Sequence, residues 1–119
     1  MVAHGSRRVE SNTEVRRLAR RIRDLVADDP GIVGVECAFL ELAEPDIGTG
    51  IERCLALGAE EVVVLPYFLA AGRHVQADIP AQVEAKRRAH PEARIVLAPH
   101  LGAHEALARM LAALGRDHP

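Results

Sequence analysis

Short apolar runs alternate along this chain with longer segments in which apolar residues recur every three or four positions. Short runs bounded by charges or turn residues are typical of strands buried on both faces of a parallel sheet, and the longer spacing is typical of amphipathic helices. The pattern predicts strands at 1–3, 32–40, 60–65 and 93–98. Only three residues precede His4, so we expect the first strand to be very short or to need residues before Met1.

Four helices are predicted, one after each strand. The resulting order βαβαβαβα, with short connections and right-handed crossovers, predicts an α/β fold in which a parallel sheet carries helices on both faces and every strand-end loop lies on one edge. The first helix has a cap at Ser11 or Asn12 and an end near residue 27, and the second has Pro45 in its first turn and Gly58 as its cap. The third starts at Asp78 to Pro80 and ends at His90. The fourth has an apolar stripe of Leu107, Met110, Leu111 and Leu114 before Gly115.

Length and composition indicate one domain over 1–119, with a net charge of -2. That charge argues against non-specific nucleic-acid binding. We expect no signal peptide, and no apolar stretch of the sequence approaches the ~20 residues of a membrane span, so we also expect no membrane association and a cytoplasmic location. Its two cysteines, Cys37 and Cys54, lack CxxC spacing and are interpreted as free thiols in a reducing compartment.

Polar residues gather at the predicted carboxyl ends of the strands, where open α/β sheets bind ligands. Several histidines with a carboxylate suit divalent cobalt, iron, nickel or zinc. No HExxH or zinc-ribbon spacing is present, so spacing alone identifies neither the metal nor the reaction. No GxSxG elbow surrounds Ser6, which disfavours a hydrolase. The gathered residues are His4, Ser6, Arg7, Arg8, Glu41, Glu44, Arg73, His74 and His100.

Four segments at these strand ends carry a family resemblance. They are VAHGSR (Val2–Arg7), FLELAEP (Phe39–Pro45), LPYFLAAGRHVQADIP (Leu65–Pro80) and APHLG (Ala98–Gly102). Together they resemble the small sirohydrochlorin chelatases, the CbiX/SirB family of class II tetrapyrrole chelatases. The resemblance spans nearly the whole chain, and its departure is at the amino terminus, where relatives usually have a longer apolar strand before HGS.

The resemblance implies a chelatase-like, flavodoxin-like parallel sheet of about four strands. It also implies insertion of a divalent metal, cobalt for cobalamin or iron for siroheme, into sirohydrochlorin, with no cofactor beyond that metal substrate (Co²⁺, Fe²⁺ or Ni²⁺). The family's metal-binding histidines fall on His4 and His74, and its active-site acid falls on Glu41. Short members are expected to act as homodimers with the cleft between subunits.

The chemistry of the residues agrees with this assignment. Two pyrrole N–H protons must leave as the metal enters, and a neutral imidazole can ligate the ion or accept a proton. The substrate's many carboxylates need local cations, and arginine pairs with carboxylate bidentately. The predicted catalytic residues are His4, His74 and Glu41, and the predicted substrate-binding residues are Ser6, Arg7, Arg8, Arg73 and His100.

Two other functions remain open at this point. A non-catalytic metal-binding or metal-delivery module would use the same histidines without a cleft for a tetrapyrrole. A flavin-binding protein of similar fold would have a Ser/Thr- and Gly-rich first loop and stacking aromatics, but this chain has one Tyr, two Phe and no Trp. The sequence does not identify the physiological metal, because cobalt, iron and nickel share ligand types. It also does not distinguish the cobalamin, siroheme and coenzyme F430 pathways.

Overall fold

The computed structural model describes residues 1–70 and 72–118, without the side chain of His74. It confirms the α/β class and the predicted alternation of strands and helices. The strands are β1 (Val2–Ala3), β2 (Ala38–Phe39), β3 (Glu61–Val64) and β4 (Arg94–Leu97). The helices are α1 (Val9–Leu25), α2 (Ile47–Ala56), α3 (Arg73–Ala89) and α4 (Ala106–Arg116), and a short 3₁₀ helix (Leu101–Ala103) precedes α4.

The four strands form one parallel arrangement in the order β2-β1-β3-β4. β1 pairs with β2 and β3 pairs with β4, both in parallel. The two pairs are joined just beyond β3, where the Val2 amide donates to the Leu65 carbonyl at 2.8 Å and the Tyr67 amide donates to the Val2 carbonyl at 2.7 Å. The strand order therefore reverses between β1 and β3, which is where the carboxyl edge of such a sheet opens a crevice for ligands.

The main core lies on the face of the sheet that α2 and α3 cover. Alternate residues of each strand point to this face, as the pleat requires. α1 lies on the opposite face, where the guanidinium of Arg16 sits 5.1 Å from the ring centre of the fully buried Phe39. Helices on both faces are thus confirmed. The buried core residues are Val2, Ala38, Ile47, Ile51, Val62, Val64, Ile79, Val83 and Ile95.

The second strand is much shorter than the predicted 32–40. A strand exists only where a neighbouring strand accepts its hydrogen bonds, and β1 is two residues long. The pairing between the two segments is short, and within it the Ala38 amide donates to the Met1 carbonyl and the Leu40 amide donates to the Ala3 carbonyl, both at 2.9 Å. Residues before it, including Ile32 and Val33, run unpaired and are largely exposed.

The predicted start of the third helix is wrong. α3 begins at Arg73, and Pro80 lies inside it. A proline within a helix removes one backbone hydrogen bond and costs roughly 3 kcal/mol. Full burial of Ile79 and Val83 against the sheet offsets this cost, because each fully buried aliphatic side chain contributes about 1.5–3 kcal/mol. His74 is consequently in the first turn of a helix rather than on a loop.

Other helix ends differ by a few residues from the prediction. α1 begins at Val9, so Asn12 lies within the helix and does not cap it. α2 is capped by Asp46, whose carboxylate accepts from the Thr49 amide at 2.8 Å, so Pro45 precedes the helix instead of opening it. Gly58 follows α2 with a φ of +93°, which confirms its predicted capping role.

α4 continues through Gly115 to Arg116, past the predicted end. A glycine near the last turn weakens a helix without ending it, at a cost of roughly 1 kcal/mol relative to alanine. Within the described residues, no helix combines the length and the hydropathy needed to cross a membrane.

Candidate functional site

His4 and Glu41 meet at the carboxyl edge of the sheet. His4 follows β1 and Glu41 follows β2, and the Glu41 amide donates to the His4 carbonyl at 3.0 Å, which continues the strand pairing beyond both strands. Their side chains also meet, with His4 Nε2 3.0 Å from Glu41 Oε1. The side chains are 55% and 57% exposed, so a ligand can reach both. The pair therefore combines a position set by the backbone with open access.

The approach of these two loops depends on Gly5. Its φ is +94°, in the left-handed region that side chains disfavour. A Cβ at this position would collide with the carbonyl oxygen of Glu41. The glycine directly after His4 therefore allows the first two loops to come together.

Asn12 fixes the first loop through hydrogen bonds to the loop backbone. Its Nδ2 donates to the Ser6 carbonyl at 2.7 Å and its Oδ1 accepts from the Ser6 amide at 3.0 Å. Asn12 is buried, and the hydroxyl of Ser6 accepts from the Arg8 amide at 3.0 Å. Sequence reasoning missed this function of Asn12. The available signal was a polar residue on the helical stripe that continues through Val15, since a residue on the inward side of a helix needs internal partners.

The loop after β3 brings an aromatic ring to the histidine. The ring of Phe68 lies edge-on to the His4 ring, with centroids 6.5 Å apart and planes at 81°. The loop after β4 is attached to this segment, because the Gly102 amide donates to the Phe68 carbonyl at 2.9 Å and the Leu101 amide donates to the Pro66 carbonyl at 3.1 Å. Phe68 was not among the predicted site residues, although it lies in the matched central segment.

The remaining predicted residues occupy the same edge. Arg7 and Arg8 are exposed on the first loop, and Arg73 is exposed as the first residue of α3. His100 is half-buried just after β4. The side chain of His74 lies outside the described residues, so the structure gives only its backbone position, one residue after Arg73. The geometry thus joins His4 to Glu41 directly and places three arginines along the same edge.

Metal-binding groups are sparse elsewhere. Across residues 1–70 and 72–118, leaving aside the His74 side chain, no cluster of three or more His, Cys, Asp and Glu is arranged to hold a metal ion. Both cysteines are free and half-buried, and burial raises the pKa of the Cys54 thiol, which keeps it protonated. Their interpretation as free thiols agrees with the structure.

His90 belongs to a separate ionic cluster at the far end of α3. Its Nε2 lies 2.6 Å from Glu52 Oε1, to which Lys86 also donates at 2.9 Å. The hydrogen bond to Glu52 raises the pKa of His90, and the same bond, with that of Lys86, lowers the pKa of Glu52. This cluster ties α2 to α3 and is remote from the carboxyl edge.

Comparison with known proteins agrees with this architecture. The CbiX family model matches residues 1–117. The chain is 34% identical to a sirohydrochlorin cobaltochelatase of Priestia megaterium over 87% of its own length, and 38% identical to the chloroplastic sirohydrochlorin ferrochelatase of Arabidopsis thaliana over 90%. It spans only 32% and 46% of those relatives' lengths, respectively.

Two solved structures share the fold. One is described as a CbiX protein of cobalamin biosynthesis from Marinobacter aquaeolei VT8, with a TM-score of 0.78, 32% identity, and coverage of 98% of this chain and 91% of that one. The other is the sirohydrochlorin chelatase SirB from Bacillus subtilis subspecies spizizenii in complex with cobalt, with a TM-score of 0.81, 30% identity, and coverage of 98% and 48%. The chain belongs to the CbiX family.

Proposed function

We propose that the protein inserts a divalent metal ion, cobalt or iron, into sirohydrochlorin. The observation that carries the proposal is the exposed His4–Glu41 pair at 3.0 Å, at the edge where the strand order reverses. Relatives named for this reaction with cobalt and with iron support the substrate and the metals. In the reaction the tetrapyrrole loses two N–H protons as it binds one M²⁺ ion, so the site must receive a metal and release protons.

The His4–Glu41 pair has the chemistry for both tasks. When the imidazole is neutral, Nε2 carries the proton that it donates to the ionised Glu41 carboxylate, which leaves a lone pair on Nδ1. That nitrogen can hold the entering metal or accept a pyrrole proton. A carboxylate that accepts a hydrogen bond from a histidine fixes the tautomer and the orientation of the ring, as in many metal sites. We assign His74, one residue into α3, as the second metal-binding histidine.

Substrate recognition is assigned to the cations of the same edge. Arg7, Arg8 and Arg73 are exposed and arginine matches carboxylate geometry, so they would bind the acidic side chains of sirohydrochlorin. Arg73 lies at the amino end of α3, where a cation is disfavoured by the helix dipole, and an anionic ligand would relieve that cost. Ser6 and His100 complete the predicted contact set on neighbouring loops.

The proposal includes a homodimer with the cleft between two copies of this edge. A single chain supplies one His4–Glu41 pair and leaves it open, and a second copy would supply the opposite wall for a tetrapyrrole. We further propose a cytoplasmic reaction with no nucleotide or redox cofactor. The free thiols Cys37 and Cys54 agree with a reducing compartment.

The test is a chelation assay. Purified protein is mixed with sirohydrochlorin and Co²⁺ or Fe²⁺ without oxygen, and the absorption spectrum is followed against a protein-free reaction. We expect the protein to accelerate formation of the metal complex, and the variant His90→Ala to match the wild-type rate because His90 is far from the edge. Metal binding by calorimetry without any acceleration would instead support a metal-delivery module and overturn the chelatase proposal.

A further inference from the structure

Two exposed leucines lie at the carboxyl edge of the sheet. Leu42 is 55% exposed on the loop after β2, and Leu69 is 69% exposed on the loop after β3. Leu42 directly follows Glu41, whose carboxylate contacts His4. Leu69 directly follows Phe68, whose ring lies edge-on to that of His4. Both leucines therefore belong to the segments that adjoin His4, although the proposed chemistry uses neither.

The backbone of Leu42 is strained. Its φ is +63°, a left-handed conformation that brings the Cβ of an L-residue close to the following carbonyl oxygen. Within residues 1–70 and 72–118, no other residue that carries a Cβ has a positive φ. Burial does not offset the strain, since more than half of the side chain is exposed. Strain of this kind clusters where ligands are held, so the conformation indicates ligand contact rather than a role in folding.

The backbone of Leu69 is fixed by the loop after β4. Its carbonyl lies against Gly102, where a Cβ would collide with it. The Gly102 amide also donates to the carbonyl of Phe68 at 2.9 Å. The side chain of Leu69 nevertheless remains open to solvent. An apolar side chain on a fixed backbone can bind a ligand at a low cost in conformational entropy.

The substrate of the proposed reaction has three kinds of surface. Its carboxylates lie at the rim, its pyrrole nitrogens lie at the centre, and the two faces of its conjugated macrocycle are apolar. The exposed arginines of the carboxyl edge match the rim, and the His4–Glu41 pair matches the centre. The two leucines match a face, because contact with it would remove apolar surface of both partners from water.

We propose that Leu42 and Leu69, which we call the apolar platform, contact one face of the sirohydrochlorin macrocycle and position it at His4. This inference rests on the proposed function and adds the residues that recognise the macrocycle itself. The apolar platform would make the same contact before the metal enters and in the transition state. It therefore strengthens substrate binding without accelerating the chemical step.

The first test is a titration of the protein with sirohydrochlorin, without metal and without oxygen, followed by absorption and fluorescence. Leu42→Asn and Leu69→Asn should each raise the Kd by about tenfold or more, the scale for losing the burial of one leucine. Leu25→Asn is the matched control, because Leu25 is 84% exposed at the far end of α1 and should leave the Kd unchanged. Wild-type Kd values for both platform variants would overturn the inference.

Urea unfolding separates ligand contact from a structural role of Leu42. Asparagine tolerates the left-handed conformation, so Leu42→Asn should unfold at a urea midpoint no lower than that of the wild type while its binding falls. Leu42→Met keeps an apolar side chain of similar volume, so its Kd should stay within about threefold of the wild-type value. A Leu42→Asn variant with a lowered midpoint and normal binding would refute the inference.

Steady-state chelation gives an independent measurement. Leu69→Asn should raise the KM for sirohydrochlorin by about tenfold and change kcat by less than about threefold, as expected for loss of uniform binding. Normal acceleration with a wild-type KM in both platform variants would remove only the apolar platform and leave the proposed chelatase standing. A wild-type protein that neither binds sirohydrochlorin nor accelerates chelation would overturn the proposed function, and the apolar platform with it.

Discussion

The covered face of the sheet and its carboxyl edge are formed by the same strands, but the first buries apolar side chains and the second exposes polar ones. On the covered face, Ile47, Ile79 and Val83 are almost completely buried and carry no polar groups. At the edge, His4 and Glu41 stay more than half exposed and are positioned through backbone hydrogen bonds. Stability and chemistry are thus separated in space.

The difference shows where each kind of substitution should act. Apolar packing on the covered face supplies much of the free energy of folding, and loss of volume there leaves a cavity. The edge contributes little apolar burial, but it holds the groups proposed to react on loops fixed by Asn12, Gly5 and the paired segments after β3 and β4. Changes at the edge should therefore reduce the rate of chelation while leaving the fold intact.

The largest expected effect is on the covered face. Ile79→Ala should lower the free energy of unfolding by about 2–5 kcal/mol, because it removes a fully buried side chain between α3 and the sheet. Urea denaturation measures this loss. Arg88→Ala, on the exposed side of the same helix, should change stability by less than about 0.5 kcal/mol. Equal losses for both variants would show that α3 is not held by this packing.

At the edge, His4→Ala should reduce the enzymatic chelation rate about a hundredfold, the scale for loss of one positioned acid–base group. This corresponds to roughly 2.7 kcal/mol in the barrier. Its urea midpoint should stay near that of the wild type, because the side chain is 55% exposed. A normal rate in His4→Ala, measured beside the His90→Ala control, would remove His4 from the mechanism.

Asn12 connects the two regions, so its substitution should affect both. Asn12→Ala leaves the amide and carbonyl of Ser6 without their partners, which should cost about 1–3 kcal/mol of stability. The chelation rate should also fall, because the loop that carries His4 loses its support. Asn12→Asp keeps the acceptor for the Ser6 amide, so its stability and chelation rate should lie between those of the wild type and those of Asn12→Ala. A stable Asn12→Ala variant with a full rate would contradict the supporting role.

The smallest expected effect is the pH dependence of the remote cluster. The pKa of His90 is raised by Glu52, so its contribution to stability is complete below its ordinary pKa of 6.5 and is lost as the pH rises through the folded pKa. The pKa of Glu52 is lowered, so its contribution is complete above 4.5 and is lost as the pH falls through the folded pKa.

The stability difference between wild type and His90→Gln should therefore be greatest between about pH 4.5 and 6.5. Urea unfolding across this range measures it. His118→Gln, in the exposed tail, serves as the matched control. A His90→Gln difference that grows above pH 8 would contradict the assigned ion pair.

Periodicity and turn chemistry predicted the class, the element order and the edge on which the polar residues lie. These features depend on local signals, such as the apolar run of β3 and the cap at Gly58. The start of α3 could not be predicted in the same way, because the burial of Ile79 outweighs the local preference of Pro80 to begin a helix. The length of β2 was overestimated because the sequence does not show how much of a partner strand lies beside it.

The sequence by itself determined that His4 and Glu41 follow strands and that the chain belongs to the CbiX family, because these properties depend on contiguous motifs. Tertiary structure alone decided that His4 contacts Glu41 and Phe68, and that Asn12 supports the loop. It also decided that α4 remains uncovered. Each of these contacts joins residues distant in the chain, so it depends on strand order and packing, which local sequence patterns do not encode.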